Sequence, residues 1–169
     1  GWSIDDYYNP NHPIQAAIKN ELIRLHGTAL AIETAIDGCG VPTFYLSLKQ
    51  MAKIFNQMLS DSAYTTIIRA MRAYPAIVGG TKQIDSLLMQ NSTNLIAKGG
   101  AEGLMLIANL EKEEALVIKI IDGSSRAKSL IALSFAESLG WIKPQVISLD
   151  LSIYNSRKDI VGNIRSSLI

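Results

Sequence analysis

The sequence predicts an α+β domain, an antiparallel sheet with helices, on three observations. Apolar residues recur at helical spacing through the first half of the chain, as in Ile14, Ile18, Leu22 and Leu25. Between 94 and 121 the pattern changes to three short runs, 94–98, 104–109 and 115–121, with strand composition and turn residues between them. A further helical run and a terminal apolar run then follow, as expected when a last helix is laid on one face of a sheet.

Taken in order, Asn9-Pro10-Asn11-His12-Pro13 is a turn cluster that leads into the first helix. Asn11 or His12 introduces it, Pro13 suits its first turn, and Gly27 stops it. A loop follows at 37–42. A second helix is expected over 46–59, with Leu48, Met51, Ala52, Phe55, Met58 and Leu59 on one face. A third carries Tyr64, Ile67, Ile68 and Met71 and ends near Pro75, and a short helical run at 84–89 follows the Gly79-Gly80 break. The second and third strands are joined by the charged turn Glu111-Lys112-Glu113-Glu114. Asp122-Gly123-Ser124 is expected to cap a helix running to about 139, with Ala127, Leu130, Ile131, Ser134 and Phe135 inward. Residues 158–165 supply a turn and a terminal strand. Counting that strand, the sheet is thin, so further strands are expected ahead of Gly1.

With 169 residues, 48% of them apolar, the chain can bury one core, and residues 1–169 are expected to form a single domain. Lys and Arg number 16 against 15 for Asp and Glu, with no long run of one sign, so nucleic acid is excluded as an expected partner. No apolar stretch approaches the roughly 20 residues that span a bilayer, so no membrane partner is expected either. The lone Cys39 excludes an internal disulfide and leans towards a cytoplasmic setting. The chain opens Gly-Trp-Ser-Ile, with neither an initiator Met nor a signal peptide, and a preceding segment is expected to have been removed.

Two places carry chemistry. In Asp37-Gly38-Cys39-Gly40-Val41-Pro42 the thiol lies between two glycines, where the backbone can turn sharply and leave the sulfur facing a cleft. Cys39 is then a metal ligand, a nucleophile or simply a buried small hydrophobe. In Ala97-Lys98-Gly99-Gly100-Ala101-Glu102-Gly103 a lysine at a strand end is followed by residues too small to cover it. An ammonium there can lower the pKa of a serine nucleophile or shuttle its proton, and the glycines would let substrate lie against the strand. The alternative is a solvated strand end whose glycines form a hairpin or bulge. Ser125-Arg126-Ala127-Lys128 matches Ser-x-x-Lys, but it follows the lysine strand and lies on the helix expected to cover the sheet, so it is read as coincidental. His12 and His26 are read as a cap-region and a helix-end residue.

Together, His12-Pro13-x-Gln15, Asp37-Gly38-Cys39-Gly40-Val41-Pro42-Thr43, Ala70-Met71-Arg72-x-x-Pro75, Gly80-Thr81, the 97–103 stretch, Lys119-x-x-Asp122-Gly123 and the terminal Ile160-Val161-Gly162-Asn163-Ile164-Arg165 resemble the L-asparaginase II family of rhizobial type, in order and spacing. The resemblance implies the C-terminal part of a serine β-lactamase/glutaminase-like fold. It also implies hydrolysis of the side-chain amide of asparagine to aspartate and ammonia, usually by a homodimer. Family members hold zinc with two cysteines and a lysine and use two Ser-Lys pairs for the nucleophilic step. Carried over, Cys39 is a zinc ligand and Lys98 the catalytic lysine of the later pair, while Gly99, Gly100 and Glu102 line the substrate pocket.

The departures matter equally. The Cys-Ser-Gly-Lys-His segment that completes the family's zinc site, and its Ser-x-x-Lys helix, do not occur among these residues. The family's Gly-Thr-Gly-Arg is Gly80-Thr81-Lys82-Gln83 here. The chain is therefore expected to be an inactive C-terminal segment that needs a missing N-terminal segment or chain. The alternatives are a non-catalytic interaction module docking a partner on a sheet edge, or a glutaminase or penicillin-type amide hydrolase.

Overall fold

The computed structural model describes residues 1–167. Two compact units divide the chain, Gly1–Met58 and Leu59–Ile169.

In the first unit, helix α1 (Pro13–His26) starts where the turn cluster predicts. His12 is its N-cap, and its Nδ1 accepts from the Ile14 N–H at 3.1 Å; Pro13 occupies the first turn. Gly27 closes the helix in a left-handed conformation, and its N–H bonds the carbonyls of Ile23 and Arg24. The apolar stripe coincides only in part with the buried side, however. Gln15 and Leu25 are buried and Ile18 is exposed, and the Gln15 amide donates to the Tyr7 carbonyl at 2.6 Å, which the apolar period could not reveal. Strands β1 (Thr34–Ile36) and β2 (Pro42–Phe44) pair antiparallel, so the loop expected at 37–42 is the tip of a hairpin. Helix α2 (Leu48–Ser60) begins two residues later than expected. Ser47 and Gln50 form a reciprocal capping box there, the Gln50 N–H donating to Ser47 Oγ and the Ser47 N–H to Gln50 Oε1.

The second unit continues with a 3₁₀ turn (Ser62–Tyr64), α3 (Thr65–Ala73), α4 (Pro75–Gly79) and α5 (Ile84–Gln90). Helix α4 is additional to the expected elements; Pro75 starts it as readily as it ends α3, because its missing N–H has no partner in a first turn. Strands β3 (Leu95–Gly99), β4 (Leu104–Asn109) and β5 (Glu114–Lys119) form an antiparallel meander in chain order, within a residue or two of the expected bounds. Leu95, Ile96 and Ala97 are wholly buried, so β3 has apolar packing on both faces. Five of the seven residues of α5 are buried, Ile84, Leu88 and Met89 among them, beside the polar Asp85 and Ser86. The Ser86 hydroxyl donates to the Pro75 carbonyl at 2.7 Å.

Helix α6 (Lys128–Ser138) starts later than the Asp122-Gly123-Ser124 signal suggests. Asp122 Oδ1 accepts from the Ser124 N–H and Ser124 Oγ from the Arg126 N–H, so both side chains tie successive turns ahead of the helix. Its buried side is Ala132, Leu133, Ser134 and Ala136, rotated from the expected set, because the helix is apolar nearly all round and its period selects no face. The expected terminal strand exists as β7 (Ile160–Asn163), but it pairs with β6 (Ser152–Tyr154) in a separate two-stranded ribbon and not with the meander. Asp150 anchors that ribbon: its carboxylate accepts from the Ser152 N–H at 3.0 Å and the Tyr154 hydroxyl at 2.8 Å. These hydrogen bonds, the Ser152 backbone first, hold its pKa below 3.8. No helix among the described residues is long and apolar enough to cross a membrane.

Two measurements check this packing. Met105→Ala, at a position with no exposure in β4, should cost about 2–5 kcal/mol in chemical denaturation followed by Trp141 emission in a Trp2→Phe background. Because Asp150 binds its proton more weakly folded than unfolded, its support of the ribbon is present above pH 3.8 and fades as pH falls below that value. The Tyr154 ring resonances should shift in that acid range, and in Asp150→Asn they should not.

Candidate active site

The lysine strand and the residues after it close into a hairpin. Gly100 donates its N–H to the Leu104 carbonyl at 2.9 Å, and Leu104 returns one to Ala101 at 3.2 Å. Between them Glu102 (φ 55°) and Gly103 (φ 70°) both adopt left-handed backbone. Gly103 has no alternative residue: a Cβ there would stand 2.7 Å from the Cβ of Ile120. The hairpin reading of these glycines is therefore the observed one, and it coexists with an exposed Lys98 at the strand end. The Lys98 ammonium donates to the Gly99 carbonyl.

A second stretch, remote in sequence, holds this turn. Lys119, the last residue of β5, donates its ammonium to the carbonyl of Glu102 and to that of Ile120. The Ile120 N–H donates to the Gly103 carbonyl at 3.1 Å. The Glu102 carboxylate lies over Gly123, in space that a side chain at 123 would fill. Lys98, Gly99, Gly100 and Glu102 thus share one end of the meander with Lys119 and Gly123. Lys119 was visible in the sequence as part of a motif but not as a site residue, because its role lies in bonding a main-chain oxygen.

Two further charged groups meet Gly99. Its N–H donates to Asp85 Oδ2 at 3.0 Å, and the Lys128 ammonium lies 3.4 Å from the point where a Gly99 Cβ would be. Both N–H groups of the Gly99-Gly100 pair are consequently engaged within the chain. Ser125 precedes α6 instead of lying on it, and the Lys128 N–H donates to the Ser125 carbonyl at 3.2 Å in the turn that enters the helix. Sequence alone offered no signal for Asp85.

In the first unit, Cys39 sits exposed at the β1–β2 tip as a free thiol, which removes the reading of a buried small hydrophobe. The Asp37 carboxylate shapes that tip, Oδ1 accepting from the Cys39 N–H at 2.8 Å and the Val41 N–H at 3.1 Å. An exposed thiol can ligate a metal or attack an electrophile once deprotonated. It is one donor, whereas a structural zinc site takes four, and among the described residues no three His, Cys, Asp or Glu side chains gather to hold a metal ion. The residues present do not by themselves fit zinc.

A family model for L-asparaginase II matches residues 1–166. Comparison with curated proteins gave no match.

The hairpin yields a paired prediction. Glu102→Gly should raise stability by about 1 kcal/mol, since a left-handed non-glycine residue is relieved while Lys119 keeps its main-chain acceptor. Gly103→Ala should lower it by about 1–3 kcal/mol through the Ile120 overlap and the positive φ. Thermal denaturation of the two variants beside the parent measures both.

Proposed function

The chain belongs to the L-asparaginase II family, and on that premise we propose that it takes part in hydrolysing the side-chain amide of asparagine to aspartate and ammonia. The observation that most supports this is the meeting of 97–103 with 119–123 around one hairpin, since these are two of the separated stretches on which the family resemblance rests.

In this reading Lys98 is the catalytic lysine. Its side chain, at the open end of β3, takes the proton of a serine hydroxyl as the neutral amine and, as the ammonium so formed, gives that proton to the departing ammonia. Lysine suits the role because its charge and proton are exchangeable, whereas arginine stays protonated. Gly99, Gly100 and Glu102 flank the substrate. With the N–H groups of both glycines engaged, substrate contact falls to their carbonyl sides and to the Glu102 carboxylate. The serine, with the further lysine and cysteine of the family's zinc site, comes from polypeptide outside these 169 residues. Cys39 would supply one thiolate to that metal if the remaining ligands were present, and the chain alone is inactive.

Ammonia release from asparagine tests the assignment. The chain by itself should show none, and the chain joined to the family's N-terminal segment should show it. In the joined protein Lys98→Met should reduce kcat by about a hundredfold or more, and Lys98→Arg should not restore it. Hydrolysis by the 169 residues alone would overturn the external nucleophile, and parallel assays with glutamine and a penicillin separate the related amidases.

A further inference from the structure

Lys98 projects from one face of β3 and Gly99, its neighbour, from the other, because successive residues of a strand alternate. What stands behind Gly99 therefore acts on Lys98 only through the main chain. There α5 presents Asp85, 4% exposed. Its carboxylate accepts the outward N–H of Gly99 at 3.0 Å, and Oδ2 lies 3.3 Å from the point where a Gly99 Cβ would be. On its other side it fills the space a Gly79 side chain would need: all three carboxyl atoms would stand closer to a Cβ there than such atoms are ever found. The Lys128 ammonium approaches the same side of Gly99. A buried carboxylate held between two glycines has been given room that no apolar packing requirement explains.

We propose that Asp85 is the positioning residue of the Lys98 strand end, a carboxylate clasp on the Gly99 N–H, seated against Gly79. Gly79 opens the 80–83 loop, where this chain departs from the family's glycine-threonine-glycine-arginine pattern, so the clasp couples that loop to the lysine. The clasp fixes where the Lys98 main chain lies and hence where its amine is carried. This rests on the reading of Lys98 as the catalytic lysine.

The test uses the full chain and two readouts independent of hydrolysis: amide hydrogen exchange at Gly99, and the acylation rate of Lys98 by an N-hydroxysuccinimide ester relative to the exposed Lys158. In the parent the Gly99 amide should be protected from exchange. Loss of this hydrogen bond should speed Gly99 exchange roughly ten- to a hundredfold in Asp85→Ala and in Gly79→Ala, with Lys98 acylation rising roughly tenfold. Asp85→Asn keeps an oxygen acceptor and should stay near the parent in both. Where the joined protein hydrolyses asparagine, kcat should fall in the alanine variants with KM little moved, and Asp85→Asn should recover most of it. An unprotected Gly99 amide in the parent overturns the proposal however the variants fold. So does faster Gly99 exchange without a change at Lys98, or an asparagine variant as impaired as the alanine one. Absence of hydrolysis in the joined protein would count against the asparaginase reading alone, since exchange and acylation still decide the clasp.

Discussion

Strand β3 becomes β4 through two consecutive residues of left-handed backbone, and much of the second unit is arranged around that constraint. A turn of this kind disfavours any side chain at its second position, because a Cβ at Gly103 would run into Ile120. It also costs about 1–2 kcal/mol at the first, where a glutamate sits. The offset comes from elsewhere in the chain: the Lys119 ammonium and the Ile120 N–H bond the two carbonyls of the turn. Strain in a hairpin loop is thus relieved by residues at the end of β5, so the geometry at Lys98 depends on the whole meander being formed.

Charge is distributed across β3 in a way that separates mobility from fixation. Lys98 is exposed, so its ammonium can exchange partners with solvent. Asp85, behind it, is buried and engaged with the main chain of Gly99, and the wholly buried Leu95, Ile96 and Ala97 hold the strand on which both depend. A carboxylate in such a place is retained only when hydrogen bonded, because an unpaired one would pay the full cost of leaving water. Burial, in this instance, converts a side chain on a short helix into a fixed point for a strand end.

The first unit shows the same division on a smaller scale. Asp37 gives its carboxylate to the N–H groups of Cys39 and Val41 and so sets the hairpin tip, while the Cys39 thiol itself stays outside the packing. Its chemistry is therefore governed by access and by neighbouring charge, not by how well it fills a core. Membership of the L-asparaginase II family gives that exposed thiol its interest, and the donor set around it gives the limit of what these residues can hold alone.

Short-range pattern determined a good part of this protein without coordinates. His12 and Pro13 mark the start of α1 and Gly27 its end because caps are local backbone chemistry, and 104–109 reads as a strand because its apolar run lies between turn signals. The start of α6 was misplaced because the side chains of Asp122 and Ser124 can tie turns as readily as they cap a helix, and only the folded chain chose between the two. Pairing of β7 with β6, the seating of Lys119 on the Glu102 carbonyl and the approach of Asp85 to Gly99 were likewise decided by tertiary structure. Those contacts join residues distant along the chain, and two of them exploit main-chain atoms and the empty space beside glycines, which no side-chain pattern records.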